Sequence, residues 1–266
     1  MINLRPIKIV KTQTMEAFVK TTKEGSISTI EFYHPAHNSL PSDLLKELAD
    51  QVLAAGKDDT CLLIILKSSG ERTFCAGASF TELVSISNFE EGKTFFLGFA
   101  GVINAIRTCG KIVIGRVQGK AVGGGVGLAA ACDYCMATKY ASTRLSELAV
   151  GIGPFVIGPA VERKIGLSAF SQMSLNPTEW QTAEWSKQKG LFTEVFDSTE
   201  QLDAYIKEFS LRLVGMNPLA IAQLKQIFWN GTENWDSLLD QRAAMSGELV
   251  LSSHAKDAIQ GFLNKA

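Results

Sequence analysis

The sequence has no excess of charge of either sign. Its 26 lysines and arginines face 27 aspartates and glutamates, for a net charge of −1, so no global basic field recruits nucleic acid or an acidic membrane surface. Any anionic ligand must be held by a local device. No apolar run reaches the roughly 18 residues of a membrane span. The start, MINLRPIKIVKTQT, carries basic residues but not the apolar core of a secretory signal. The five cysteines (Cys61, Cys75, Cys109, Cys132 and Cys135) are odd in number and lie among apolar or small residues, which suits a reducing, cytoplasmic setting. CDYC, holding Cys132 and Cys135, has CxxC spacing, yet no second CxxC or histidine pair completes a zinc site. We read these cysteines as small buried hydrophobes and expect no metal. Phosphate-loop spacings are missing too: GxxxxGK[ST] is absent, and GxGxxG laid on Gly123 and Gly125 puts its third glycine on Leu128.

What is present is an ordinary globular composition, 46% hydrophobic and 20% charged over 266 residues, with ample material for a core. EGSISTIEFYHP, with Ile27, Ile30 and Phe32, reads as a strand stopped by proline. SDLLKELADQVLAAG predicts a helix capped by Ser42 and closed by Gly56, with a stripe from Leu44 to Leu53. CLLIILKSS is a short apolar run of the kind that forms a strand buried on both faces. A long helix over NFEEGKTFFLGFAGVINAIRTC, a strand over KIVIGRVQG, a helix over GVGLAAAC and a strand over YCMAT follow. This alternation predicts an α/β fold. From Ser198 onward three stretches carry helical periodicity separated by turn residues. The expected organisation is a weakly ordered arm over 1–14, with Met15 a possible start besides Met1, an α/β core over 15–197, and a helical segment over 198–266. Those last helices should pack on the core or on a neighbouring subunit.

Three stretches could carry chemistry. AVGGGVGLAA, Ala121 to Ala130, places four glycines in five positions at a helix start, although each glycine in a helix interior costs about 1 kcal/mol against alanine. A strand, a glycine turn and a helix N-terminus aim free N–H groups at whatever sits in front; a turn needed only for packing reads the same way. In ERTFCAGASFTEL, Phe74 to Ser79 reads as a loop of small residues after a buried strand, where open α/β sheets place ligands. Two such loops could direct two N–H donors at one oxygen, an oxyanion hole. TRLSELAVGIGP holds Glu147 among small and apolar residues. It is either a solvated helix charge or, facing the same pocket, a carboxylate whose raised pKa suits a base near neutral pH.

Taken together, these stretches resemble the crotonase, or enoyl-CoA hydratase/isomerase, superfamily from about Phe18 to Phe262. HPAHNSL resembles its P-x-x-N-x-L segment, FCAGAS its first oxyanion loop, AVGGGVGLAAACD its second loop and helix, and TAEWSKQKGLFTEV the segment closing the core. The resemblance implies a spiral of ββα units with C-terminal helices that mediate trimers, often paired into hexamers. It implies an acyl-CoA substrate, with coenzyme A part of the substrate and no separate cofactor. The thioester oxygen would be held by the N–H groups of Ala78 and Gly124, each donor worth about 2.7–4 kcal/mol of barrier. Ser79, in place of the usual Asp, and Phe80 would adjoin the substrate. Ala36 and His37 lie in the segment near the CoA adenine, and SFTELVSISNFEEGKTFFLGF should line an apolar, aromatic acyl pocket.

One departure bears on the reaction. Typical hydratases of the family carry two glutamates; the second corresponds to Glu147, and the first falls on Gly127. Asp133 is a nearby carboxylate whose family counterpart is structural. One base suffices for a 1,3-proton shift, whereas hydration divides its work conveniently between two. The sequence therefore favours an enoyl-CoA isomerase, with a hydratase (including the methylglutaconyl-CoA type) as the alternative and a non-catalytic acyl-CoA binder as a third reading. A decarboxylase is disfavoured by Phe80, where a lysine is common, and by the retained Glu147.

Overall fold

Strands that read as continuous apolar runs form the buried middle of a six-stranded sheet. The structure is a computed structural model and describes residues 16–263; the arm over 1–14 and the choice between Met1 and Met15 lie outside the described residues. The chain runs β1 (Phe18–Glu24), β2 (Ile27–Tyr33), α1 (Ser42–Lys57), β3 (Leu63–Ser68), β4 (Thr73–Cys75), α2 (Phe80–Ser85) and α3 (Phe89–Thr108). It continues through β5 (Ile112–Val117), β6 (Lys120–Val122), α4 (Gly124–Ala131), β7 (Tyr134–Thr138), β8 (Ser142–Arg144) and a 3-10 turn (Glu147–Val150). Then come α5 (Gly158–Leu175, interrupted at Gly166), β9 (Gln181–Thr182), α6 (Ala183–Gln188) and β10 (Glu194–Phe196). Four helices close it: α7 (Thr199–Val214), α8 (Pro218–Phe228), α9 (Trp235–Leu249) and α10 (Ser253–Leu263).

The large sheet has order β1-β2-β3-β5-β7-β10, and a second, four-stranded sheet has order β4-β6-β8-β9. β3, β5 and β7 are parallel neighbours in the first sheet, and β4, β6 and β8 are parallel neighbours in the second. Each turn of the chain thus gives one strand to each sheet and then a helix, the expected spiral of ββα units. All six residues of β5 are buried, as a parallel strand covered on both faces requires.

Several local expectations need correction. Pro41, not Ser42, occupies the α1 cap position, and the Ser42 hydroxyl instead donates to Glu82 Oε2 at 2.7 Å. Glu82 also accepts the Ser42 N–H, so this carboxylate closes the start of a neighbouring helix. Phe74 and Cys75 belong to β4, and the small-residue loop begins only at Ala76. All five cysteines are buried free thiols. Burial pushes Cys75 and Cys135 up to about 12 and raises Cys132 further from reactivity.

The C-terminal helices pack on this chain's own core. Leu202 and Ile206 of α7 join Leu63, Ile112, Ile114 and Met136 of the large sheet. Arg116 of β5 clamps Asp203 of α7 with two hydrogen bonds of 2.7 and 2.9 Å. α9 crosses α3 so closely that a Cβ on Gly247 would lie 2.5 Å from Lys93 N. Trp229 and Trp235 meet edge to face with centroids 5.7 Å apart.

Candidate active site

The first loop is held by backbone and amide clamps. Leu40 N–H donates to Gly77 O at 2.8 Å, and Leu40 O accepts Ser79 N–H at 3.0 Å. Ala78 is bracketed between them, and its own N–H has no protein acceptor among the described residues. Asn38, with φ at +56°, fastens the preceding turn: its Nδ2 donates to Ser69 O and Thr73 O at 2.8 and 2.9 Å. Asn38 lies in the HPAHNSL segment, and nothing in that segment alone marks it as this clamp.

The second loop answers why a helix start holds so much glycine. Gly123 N–H donates to Arg144 O at 2.9 Å, and its φ of +51° favours glycine. A Cβ there would also lie 2.8 Å from Glu147 Oε1, so the missing side chain lets the carboxylate rest against the turn. Gly124 opens α4, and its N–H is one of the donors a helix N-terminus leaves free. A Cβ on Gly124 would strike the Phe99 ring at 2.3 Å, while one on Gly77 would lie 3.7 Å from Gly124 N. The two loops therefore abut, and both Ala78 and Gly124 line one cavity.

Glu147 begins the 3-10 turn rather than sitting on an α-helix, and it lines the same cavity. The residue is half-buried, but Oε2 is shut off from solvent and has no hydrogen-bond partner. Burial pushes its pKa up to about 7, against the opposing pull of the Glu147 and Ser146 N–H groups and the Arg144 charge. It is the one carboxylic acid among the described residues lining the cavity.

That cavity, about 320 Å³, is walled by Phe80, Leu83, Phe95, Phe96 and Phe99, all within the stretch read as an apolar, aromatic lining. Phe155, Val156 and Ile157 complete the far side. At Ala76 and Val122 it adjoins an open groove of about 1040 Å³ carrying His37, Arg72 and Lys120. His37 thus reaches the groove, whereas Ala36 lies exposed in its turn and lines neither space. Ser79 is buried as the cap of α2, accepting Glu82 N–H at 3.3 Å, and also lines neither. Arg144 of β8 lines the cavity as well; nothing in the sequence set it apart from the polar residues around it.

Gly127 does not line the cavity. A Cβ there would lie 2.5 Å from Ile157 Cγ2 and 2.7 Å from Ile157 Cβ. The space a side chain would need is filled, so a glutamate cannot be restored at 127 without displacing the start of α5. Asp133 does not line the cavity either; it is consumed by Lys225, Trp229 and the Val113 N–H, each at 2.7 Å.

The sequence profile of a family described as enoyl-CoA hydratase/isomerase matches residues 22–266. A short-chain-enoyl-CoA hydratase of Clostridium acetobutylicum is 29% identical over 246 residues, covering 91% of this chain and 93% of that protein. A peroxisomal Delta(3,5)-Delta(2,4)-dienoyl-CoA isomerase of Arabidopsis thaliana is 26% identical over 270 residues, 95% of each chain. The crystal structure of an enoyl-CoA hydratase from Bacillus halodurans superposes with a TM-score of 0.84 at 22% identity. It covers 91% of this chain and 99% of its own, a likeness of fold.

Proposed function

The chain belongs to the enoyl-CoA hydratase/isomerase family, and within it we propose an enoyl-CoA isomerase that uses Glu147 as its single acid/base. The observation that carries this reading is a cavity with two free N–H donors and one carboxylic acid, in which the site of a second carboxylate is occupied by Ile157. The coenzyme A portion would lie in the open groove, where Arg72 and Lys120 supply positive charge, and the acyl chain would enter the aromatic cavity.

The chemistry follows from these positions. The N–H groups of Ala78 and Gly124 both donate to the thioester carbonyl oxygen and favour the build-up of negative charge on it. Glu147 takes a proton from C2 of a 3-enoyl thioester, and the C–H electron pair moves into the C1–C2 bond to give a dienolate. Protonated Glu147 then returns the proton to C4 as the double bond settles between C2 and C3. A pKa near 7 suits both halves of this exchange.

The likeness to the Clostridium hydratase supports a second reading, hydration of a 2-enoyl thioester, with Ser146 and Ser246 as the cavity hydroxyls available to a water. A screen with 3-enoyl-, 2-enoyl- and 3-methylglutaconyl-CoA decides between them. The expected result is double-bond migration in 3-enoyl-CoA outpacing hydration. Rapid hydration of a 2-enoyl-CoA without migration overturns the isomerase reading; binding without turnover of any of the three leaves an acyl-CoA binder.

We also propose a homotrimer or homohexamer. Leu219, Ile227 and Phe228 of α8 and Leu167 and Leu175 of α5 are large apolar side chains left exposed on the single chain. Light scattering should give the mass of three or six chains, and a monomer at micromolar concentration refutes this.

A further inference from the structure

Arg144 is the one cation among the described residues that line the cavity, where Glu147 is the one carboxylic acid. Its backbone is fixed: β8 pairs with β6 so that Arg144 stands opposite Val122, and its carbonyl accepts the Gly123 N–H. Its side chain lies over the Trp180 ring, with the guanidinium carbon 4.4 Å from the ring centroid. Lys120, from the open groove, approaches the same ring at 5.1 Å. No hydrogen bond or ion pair to the guanidinium is formed by any described residue, and Nε is buried without a partner. Glu147, three residues on, acts on this charge electrostatically and favours its protonated form, without a hydrogen bond to the guanidinium.

This arrangement is expensive for a cavity walled by phenylalanines. Arg144 is half-buried with its Nε shut off from solvent, so the charge gives up part of its hydration, and a counter-charge with good geometry offsets that loss. Trp180 supports the guanidinium through a cation–π contact and leaves its N–H donors unengaged. Those donors form a rigid fork that matches the two oxygens of a carboxylate. Coenzyme A phosphates are a poorer fit, because Arg144 lines the aromatic-walled cavity while Arg72 and Lys120 face the groove. A purely hydrocarbon acyl chain would leave the fork unpaired.

We propose that Arg144 is a carboxylate receptor, and that the preferred acyl group is a short enoyl chain bearing a second carboxylate at its far end. This rests on the acyl-CoA reading above and narrows it to monothioesters of unsaturated dicarboxylic acids. Arg144 then acts as a specificity-determining residue, neutralising a charge that would otherwise share the cavity with Glu147. The remaining aromatic walls enclose the carbon chain between thioester and carboxylate.

The test compares matched ligands differing only at the distal carbon: glutaryl-CoA against pentanoyl-CoA for binding by calorimetry, and glutaconyl-CoA against pent-2-enoyl-CoA for turnover. The wild-type chain should favour the dicarboxylic member by at least about tenfold. Arg144→Gln should weaken glutaryl-CoA by about 30-fold or more and pentanoyl-CoA by less than about threefold, with Arg144→Lys in between. Equal wild-type affinity for glutaryl- and pentanoyl-CoA overturns the proposal. So does an equal loss for both ligands in Arg144→Gln with a shifted pH profile, which would make Arg144 only a positioning residue for Glu147. Failure to bind either thioester instead defeats the acyl-CoA reading on which the proposal stands.

Discussion

Replacing Glu147 with glutamine should lower kcat for double-bond migration by about 10²–10⁴-fold, the range expected when a positioned general base is removed. The change is nearly isosteric, so the cavity, the two N–H donors and binding should survive, and KM should move far less than kcat. In the unmodified chain, kcat/KM should rise with pH and level off above about 7, because burial holds the Glu147 proton to about that pH and the base must be ionised to act. Stopped-flow measurement of both variants across pH 5–9 checks the magnitude and the limb together. Full turnover by Glu147→Gln on an active substrate would falsify the single-base mechanism.

The same substitution should make the protein more stable, which ties activity to strain at the site. An ordinary glutamate titrates near 4.5, as Glu147 does once unfolded, whereas the folded chain keeps the proton to about 7. Between those values the folded state binds more protons than the unfolded state, so stability falls as pH rises and the loss is complete above about 7. With one pKa unit equivalent to 1.36 kcal/mol, the effect is bounded at about 3 kcal/mol. Glu147→Gln carries no such penalty. Urea unfolding should place it above the wild type at pH 8 and level with it near pH 4.5; a gap that is the same at both pH values contradicts a buried, reluctantly ionised carboxylate.

How the sequence announced this site is uneven, for physical reasons. β3 and β5 were legible because a strand covered on both faces must be apolar along its length. α3 and α7 were legible because a helix packed on one side repeats its apolar residues. The second sheet was not: β4, β6 and β8 have three residues each, too few for any period, and they form only because neighbouring turns of the spiral bring them into register. Gly123 and Gly124 stood out by composition, but their reasons, a carboxylate and a phenyl ring at close range, come from residues far along the chain. Glu147 could be read as pocket or surface until the 3-10 turn and the glycine loop were set against each other. Ile157 filling the space at Gly127 was invisible, since a missing side chain in sequence does not say what occupies its volume.

Asp133 is the carboxylate whose loss should cost the most stability while leaving the chemistry intact. It is 2% exposed, as is its partner Lys225, and their ion pair measures 2.7 Å. Trp229 Nε1 and the Val113 N–H complete its coordination, while Lys225 also donates to Ile106 O. These bonds fasten α8 to β5 and to the end of α3, so the exposed apolar face of α8 is positioned by one acidic side chain. Asp133→Ala strands a buried ammonium and an indole N–H together, and breaking a buried pair in this way costs about 3–5 kcal/mol. Urea titration should show the unfolding free energy falling by that amount, as a lower midpoint with an unchanged slope. Adding Lys225→Met removes the stranded charge and should recover much of the loss. Turnover per folded molecule of Asp133→Asn should stay within about twofold of the wild type, because the bonds it loses fix a helix and face no substrate. A collapse of kcat in a folded Asp133→Asn would instead make Asp133 the missing second carboxylate, and Glu147 would no longer act alone.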